Sequence, residues 1–322
     1  MIEPRCKYIS PDGLPCTESA EYDGRCYWHN SDQVKDRTDL KDKLETRAKT
    51  NLPMQGVSLR RTDLSDINLV NHGCKQGYDL SYSDFYRANM QKAHLFNANL
   101  QHASLMKADL RGANLHCANL EDANLLGTRL EDARLDNIQW GHYVLQEKMA
   151  HASKDLADRQ DYLEQAEEVY RNLRRVLEHE GLFEQAGYFF RREMVMRRLQ
   201  MPYYSMSRFV SRTVDLFCGY GERPLRIIFF SVFLILAFAV AYFLNGVNDG
   251  GNLVKFSSDL PVLQNIENFL NALYFSVVTF TTLGFGDITP NGWSRLFAGG
   301  EAFIGSFTLA LFVVVFVKKM TR

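Results

Sequence analysis

The sequence predicts a multidomain membrane protein, because three different patterns follow one another along its 322 residues. The N-terminus carries clustered cysteines and a histidine, the middle repeats a five-residue pattern, and the final third contains two long apolar stretches. We therefore expect a small zinc-stabilised module, a solenoid, an α-helical hairpin, and two transmembrane helices joined by a short re-entrant segment.

The boundaries of these parts follow from changes in composition. The cytoplasmic parts are placed at residues 1–35 (metal module), 36–55 (linker), 56–140 (solenoid) and 141–201 (helical hairpin). The remaining parts are an interfacial segment at 202–224 and a two-span domain at 225–322, with spans at 226–245 and 296–317 and a re-entrant segment at 268–287.

The overall composition excludes several classes of protein. The chain has 37 Lys and Arg against 38 Asp and Glu, a net charge of −1, so the total charge gives no reason to expect a nucleic-acid partner. Six cysteines without disulfide-like spacing and a polar N-terminus favour the reducing cytosol for the N-terminal half. We find no nucleophile–base pair or phosphate loop, and therefore expect no enzyme activity.

The N-terminal cluster has the spacing C-x9-C-x9-C-x2-H. Its members are Cys6, Cys16, Cys26 and His29. Three thiolates and one imidazole complete a tetrahedral Zn²⁺ site of the structural type, and so short a segment needs such a staple to fold. The alternatives are a disordered tail with incidental cysteines and a redox-sensing role for the thiolates.

The middle of the chain has a period of five, which fits neither a helix nor an alternating strand. Large apolar residues recur at every fifth position from Leu80 to Leu135, and alanine stands two residues before most of them. An upstream series that begins at Leu59 slips by one residue before Leu80, so we expect a bulge within 72–78.

This pattern resembles the A(D/N)LXX signature of pentapeptide-repeat proteins. The resemblance implies a right-handed quadrilateral β-helix with four pentapeptides per coil. Residues 56–140 hold nine basic and ten acidic residues, so mimicry of DNA is not expected. A spacer role, or binding of an unknown cytoplasmic ligand or protein, stays open. The following helical segment resembles a single tetratricopeptide-like unit interrupted by Gly181, which must pack on something else.

Two stretches are long and apolar enough to cross a membrane. Residues 227–244 carry no charge, and 302–317 continue an apolar run that begins at Leu296. Basic residues concentrate before the first stretch and after the second, which predicts cytoplasmic termini and a multi-pass protein of the plasma membrane. The motif Gly219-Tyr220-Gly221-Glu222 is interpreted as a turn between an amphipathic segment and the first span.

Between the spans lies an apolar stretch at 269–282 that is too short to cross the membrane, and it leads into Thr281-Thr282-Leu283-Gly284-Phe285-Gly286-Asp287. This segment resembles the P-loop of potassium channels. The resemblance implies that the spans are joined by a re-entrant pore loop, with a pore helix and filter at 268–287. It also implies K⁺ conduction through carbonyl oxygens of Thr282 to Gly286, and four such filters imply a homotetramer. Phe285 and Leu283 depart from the usual Tyr and Val, which leaves a weakly selective cation channel as an alternative.

The chain as a whole resembles the prokaryotic pentapeptide-repeat ion channels. An alternative from another class is a membrane-tethered scaffold with a vestigial pore. In the second span, Glu301 is interpreted either as a brace or tuning charge behind the filter, or as a carboxyl that is hydrogen-bonded to the pore helix or reaches the outer interface. Gly299, Gly300 and Gly305 provide either bending of the inner helix for gating or close packing on the pore helix.

Overall fold

The computed structural model describes residues 4–21, 23–72, 74 and 76–321. The chain divides into two compact units, Met1–Tyr203 and Tyr204–Arg322. The first holds the cysteine cluster, the solenoid and the helical hairpin, and the second holds both apolar stretches.

The first unit begins with a small module of short antiparallel bridges, Arg5 with Ser19 and Ile9 with Pro15. Helix α1 (Leu40–Lys49) follows within residues 36–55, where the sequence led us to expect only a linker. Its apolar side is narrow, and Leu40, Leu44 and Ala48 along it are buried. The charged residues around this short stripe concealed the helix in the sequence, so the segment between the cysteine cluster and the solenoid is partly helical.

The solenoid has coils of 20 residues, which equals four pentapeptides. Parallel bridges connect Asp79 to Asn99, Asn99 to Asn119 and Asn119 to Gln139. The large apolar residue of each pentapeptide lies inside, and from Leu80 to Leu135 none is more than 3% exposed. The pattern closes into coils because each pentapeptide ends in a tight turn.

Those turns follow one rule along the solenoid. From Leu80 to Leu130, the carbonyl of each large residue accepts a hydrogen bond from the N–H three residues later, as from Ala88 to Phe85 at 2.9 Å. The residue before that alanine has a positive φ, for example 55° at Arg87 and 58° at Lys107. This is the geometry of a type II turn, which normally favours glycine at that position.

The first coil is longer than the others. Ser58 pairs with Asp84, an offset of 26 residues, and the offset returns to 20 at Asp79 and Asn99. Six additional residues therefore lie around 70–78, where the sequence indicated an irregularity. The chain re-enters the coil at Gly77, where an added Cβ would overlap the backbone of Asn97 and Ala98.

Three helices follow the last coil. They are α2 (Leu145–Ala152), α3 (Leu156–His179) and α4 (Phe183–Gln200). α3 and α4 form the expected hairpin around Gly181, whose φ is 75°, whereas α2 is an additional short helix. The Tyr170 hydroxyl accepts from the Val144 N–H at 3.2 Å, and Asn172 donates to the Thr128 carbonyl at 2.8 Å. The hairpin therefore caps the solenoid end.

The second unit begins with α5 (Met206–Cys218), which ends at Gly219 in a left-handed conformation. The segment 219–223 is a turn, as its sequence indicated. Helices α6 (Pro224–Asn245) and α8 (Ser294–Met320) are long and apolar enough to cross a membrane, and few of their residues are buried in the single chain. That exposure is unlike the core helices of soluble proteins.

Between α6 and α8 lie three short strands and one helix. Strands β1 (Val247–Asp249), β2 (Asn252–Val254) and β3 (Ile288–Pro290) form an antiparallel sheet in the order β2-β1-β3. Helix α7 (Val262–Phe280) starts at Val262, six residues before the expected start at 268. Its first two turns mix apolar residues with Gln264, Asn265 and Glu267, so the continuous apolar stretch marked only the second part of this helix.

Candidate functional site

The segment from Thr281 to Asp287 connects the C-terminal end of α7 to β3. Every second residue in it has a positive φ: 57° at Thr282, 58° at Gly284 and 81° at Gly286. Such alternation rotates successive peptide planes, which allows their carbonyl oxygens to share one side of the chain. Residues 282–287 are exposed in the single chain, so these oxygens are accessible to an ion.

The C-terminal end of α7 closes in a Schellman arrangement. The Leu283 N–H donates to the Val278 carbonyl and the Thr282 N–H donates to the Thr279 carbonyl, both at 3.0 Å. Thr282 occupies the left-handed position, which is unfavourable for a β-branched residue and costs about 1–2 kcal/mol. Its hydroxyl donates to the Thr281 carbonyl at 2.7 Å. The strained residue thus lies at the start of the candidate filter.

The far end of the segment is anchored in two ways. The Tyr274 hydroxyl on α7 donates to Asp287 Oδ2 at 2.7 Å, and the Ile288 N–H donates to Asp287 Oδ1 at 2.9 Å. The hydrogen bond from Tyr274 lowers the pKa of Asp287. Pairing of β3 with β1 ties the same end to the segment after α6. Tyr274 carries no signal in the sequence, because only the fold brings it to Asp287.

Glu301 is fully buried between α6, α7 and α8. Its Oε2 accepts from the Tyr242 hydroxyl on α6 at 2.6 Å, and its Oε1 lies 2.5 Å from Ser276 Oγ on α7. The Ser276 hydroxyl also lies 2.9 Å from the Ile235 carbonyl on α6. Tyr242 and Ser276 are polar residues in apolar sequence, and this was the only sign of a buried polar contact. Because they are far from Glu301 along the chain, the sequence does not identify them as its partners.

The three glycines of α8 have different surroundings. An added Cβ at Gly305 would overlap the backbone of Phe280, with 2.9 Å to its carbonyl carbon and 3.0 Å to its Cα. An added Cβ at Gly299 or Gly300 would have no atom within 4 Å in the single chain. Of these three glycines, only Gly305 is therefore in close contact with α7.

The cysteine cluster also comes together. The ligand atoms of Cys6, Cys16, Cys26 and His29 all lie within 4.8 Å of one another. His29 Nδ1 lies 3.6 Å from Cys6 Sγ and 3.1 Å from Cys26 Sγ, and the Sγ atoms of Cys16 and Cys26 are 3.9 Å apart. Tetrahedral zinc with ordinary bond lengths gives edges of about 3.6 Å (N to S) and about 3.8 Å (S to S). The donor set and its spacing fit zinc.

The surroundings of the cluster orient its ligands. His29 Nε2 lies 3.1 Å from the Gln55 carbonyl, so it donates there and leaves Nδ1 free of hydrogen for a metal. Burial lowers the pKa of His29, which favours the neutral imidazole. The Cys26 N–H donates to Cys6 Sγ at 3.3 Å, and Tyr8 stacks on His29 with ring centroids 3.9 Å apart. The cluster is thus packed against the residues that lead into the solenoid.

Comparisons with known proteins agree with both parts. A family model described as an ion channel matches residues 229–322. A family model of pentapeptide repeats matches residues 79–112 and 113–137, with eight copies. The chain is 51% identical over 45 residues to two pore potassium channel a of Oryza sativa subsp. japonica. The matched segment covers 14% of this chain and 13% of that relative.

Solved structures of other repeat proteins are similar to part of the chain. A pentapeptide repeat protein (Rfr23) of the cyanobacterium Cyanothece 51142 is 32% identical, over 28% of this chain and 60% of that one, with a TM-score of 0.21. A pentapeptide repeat protein of Nostoc PCC 7120 is 25% identical, over 35% of this chain and 81% of that one, with a TM-score of 0.20. The recognition made from the sequence is confirmed: the chain carries an ion-channel domain at 229–322 and pentapeptide repeats at 79–137.

Proposed function

We propose that this protein is a potassium-selective ion channel that conducts passively through the carbonyl oxygens of Thr282 to Gly286. One observation supports this most strongly: the left-handed residues Thr282, Gly284 and Gly286 alternate with others in a segment that lies between a helix end and a membrane-spanning helix. A cation's hydration shell is replaced by stacked carbonyl rings built from such segments.

The same segment supports a homotetramer. Leu283 is 61% exposed and Phe285 is 67% exposed in the single chain. Irregular backbone at membrane depth is tolerated only where protein or a water-filled cavity covers it. Neighbouring copies of this chain provide the cover, and four copies complete the carbonyl rings around one axis.

The membrane topology of the proposal places both termini in the cytoplasm, with the loop between α6 and α8 outside. Basic residues such as Arg223, Arg226, Lys318 and Lys319 flank the cytoplasmic ends of the two helices. The plasma membrane is the proposed location. The solenoid then lies in the cytoplasm, where an unknown ligand or protein binds it and regulates the pore.

At the N-terminus, the proposal assigns a structural Zn²⁺ to Cys6, Cys16, Cys26 and His29. All four positions are protein ligands, so the ion contributes folding free energy and no open coordination position. These four residues would hold the ion, and the Gln55 carbonyl orients His29 for it. The metal thereby stabilises a module that is too small to fold on its own apolar core.

The function is tested by K⁺ efflux from vesicles that contain the purified protein. Gly284→Ala and Gly286→Ala place a Cβ on residues with a positive φ, although nothing lies within 4 Å of either added Cβ. We expect each variant to lose K⁺ flux at least about tenfold, because alanine disfavours the left-handed backbone by about 1 kcal/mol or more in every one of four subunits.

Gly292→Ala is the matched control. Gly292 has a φ of 52° and nothing within 4 Å of an added Cβ, but it lies between β3 and α8, outside the filter. It should keep near-normal flux. Equal losses in all three variants would contradict the filter assignment. Equal permeation of K⁺ and Na⁺ by the unmodified protein would favour the weakly selective channel, and a tetramer without any flux would favour the scaffold.

A further inference from the structure

The buried carboxyl of Glu301 lacks a cation partner. It is 0% exposed, and among residues 4–21, 23–72, 74 and 76–321 no ion pair includes it. Its neighbours on the other two helices are the hydroxyls of Tyr242 and Ser276, also fully buried. An ionised carboxylate in such a place is very costly unless it is paired.

Three hydrogen-bond contacts connect Tyr242, Glu301, Ser276 and the Ile235 carbonyl. The Tyr242 hydroxyl donates to Glu301 Oε2. The single hydrogen of the Ser276 hydroxyl has two acceptors within reach, the Ile235 carbonyl at 2.9 Å and Glu301 Oε1 at 2.5 Å. A hydroxyl donates only one hydrogen but also accepts. All three contacts are therefore satisfied together if Glu301 Oε1 itself carries a proton and donates it to Ser276.

We propose that Glu301 is a neutral carboxylic acid that positions the pore helix by donating a hydrogen bond to Ser276 and accepting one from Tyr242. The chain of bonds then runs from Tyr242 to Glu301, to Ser276 and to the Ile235 carbonyl. It begins and ends on α6 and passes through α8 and α7. This inference rests on the proposed channel function and extends it to three residues that do not touch the ion.

The position of Ser276 gives the cluster its importance for conduction. Ser276 lies on α7 five residues before Thr281, and the filter segment continues directly from that helix. Apolar packing surrounds the cluster: Tyr242 contacts Phe275 edge-on at 4.9 Å between ring centroids, and Ala272 and Phe297 belong to the same apolar cluster. These apolar side chains exclude water from the cluster. The position of α7 relative to α6 and α8 therefore depends on the buried hydrogen bonds.

Substitutions at Glu301 separate the neutral form from the charged one. Glu301→Gln keeps one donor and one acceptor in the places where a protonated carboxyl has them, whereas Glu301→Met fills similar volume with neither. We expect Glu301→Gln to retain the K⁺ over Na⁺ permeability ratio within about threefold. Glu301→Met should reduce that ratio at least about tenfold, because it leaves the buried Tyr242 hydroxyl unpaired and removes the bond between α8 and Ser276.

Two further variants test the coupling and the specificity of the effect. Ser276→Ala should resemble Glu301→Met, and the double variant should lose no more than either single one, because both remove the same bond. Thr308→Val is the matched control. Thr308 is also buried on α8, but its hydroxyl donates to the Ile304 carbonyl of its own helix at 2.7 Å. It should leave selectivity unchanged.

A spectroscopic measurement tests the protonation state without any conduction. The infrared difference between the unmodified tetramer and Glu301→Gln should contain the C=O stretch of a protonated carboxylic acid. A difference band of ionised carboxylate would overturn the proposal, as would a Glu301→Gln variant that loses selectivity to the same degree as Glu301→Met. If no variant conducts, the channel function fails, and the infrared band still decides the state of Glu301.

Discussion

The substitution Gly305→Ala tests how α8 packs on the pore helix. An added Cβ would lie 2.9 Å from the Phe280 carbonyl carbon and closer still to its oxygen. Carbon atoms in ordinary contact are about 3.5 Å apart, so the two helices must separate by at least about 0.6 Å at this point. The obstacle is backbone, which cannot rotate away as a flexible side chain would. Overpacking of this kind costs about 1–3 kcal/mol.

The control substitutions lie on the same helix. Gly299→Ala and Gly300→Ala meet nothing within 4 Å in the single chain, and alanine gains up to about 1 kcal/mol over glycine inside a helix. We therefore expect Gly305→Ala to lower the melting temperature of the detergent-solubilised protein by about 5 °C and to weaken K⁺ selectivity. The two controls should melt at the same temperature as the unmodified protein or slightly above it.

The competing explanation for these glycines is a gating hinge. A hinge at Gly305 predicts that alanine changes open probability while the melting temperature and selectivity stay the same. Calorimetry or fluorescence melting, combined with single-channel recording, separates the two. Equal melting temperatures of Gly305→Ala and Gly300→Ala would refute the close-packing account of Gly305.

Four further predictions address other parts of the chain. Cys26→Ser should reduce bound zinc, measured by elemental analysis, to well below one ion per chain, and unchanged zinc would contradict the ligand assignment. Leu115→Ala leaves a cavity at a fully buried site and should lower the free energy of unfolding of the solenoid by about 2–5 kcal/mol in denaturant. A decrease below about 1 kcal/mol would contradict the burial of the large apolar residues inside the coils. Tyr274→Phe removes the 2.7 Å bond to Asp287 and should speed the decay of K⁺ current, whereas an unchanged decay would show that strand pairing alone holds the filter. Burial lowers the pKa of Lys35 to about 8. The unfolded chain therefore binds more protons than the folded chain between about pH 8 and 10.5, and the free energy of unfolding should rise across that window. Lys35→Met should lack this rise, and parallel pH profiles of the variant and the unmodified protein would contradict the burial of Lys35.

Periodic features of the chain were predictable from the sequence. The five-residue spacing from Leu80 to Leu135 identifies the side chains that lie inside the solenoid, because each coil repeats the same geometry. The two apolar stretches were equally predictable, since a membrane demands about 20 apolar residues of any helix that crosses it. The glycines at 284 and 286 indicated left-handed backbone, and both have positive φ.

Contacts between distant parts of the chain were not predictable in this way. Helix α1 has only a narrow buried stripe, so its charged sequence resembled a linker. Tyr242, Ser276 and Glu301 lie up to 59 residues apart and meet only because three helices pack together. Tyr274 reaches Asp287 for the same reason. Sequence patterns identify polar residues in apolar surroundings, but the partner of each becomes known only from the packing.

The central claim is that Thr282 to Gly286 form a potassium filter, and a reversal potential tests it most directly. Purified protein in a planar bilayer, with KCl on one side and NaCl on the other, should give a current that reverses near the K⁺ equilibrium potential. A reversal near zero would mean that the carbonyl oxygens do not discriminate between the two ions, and would contradict the claim.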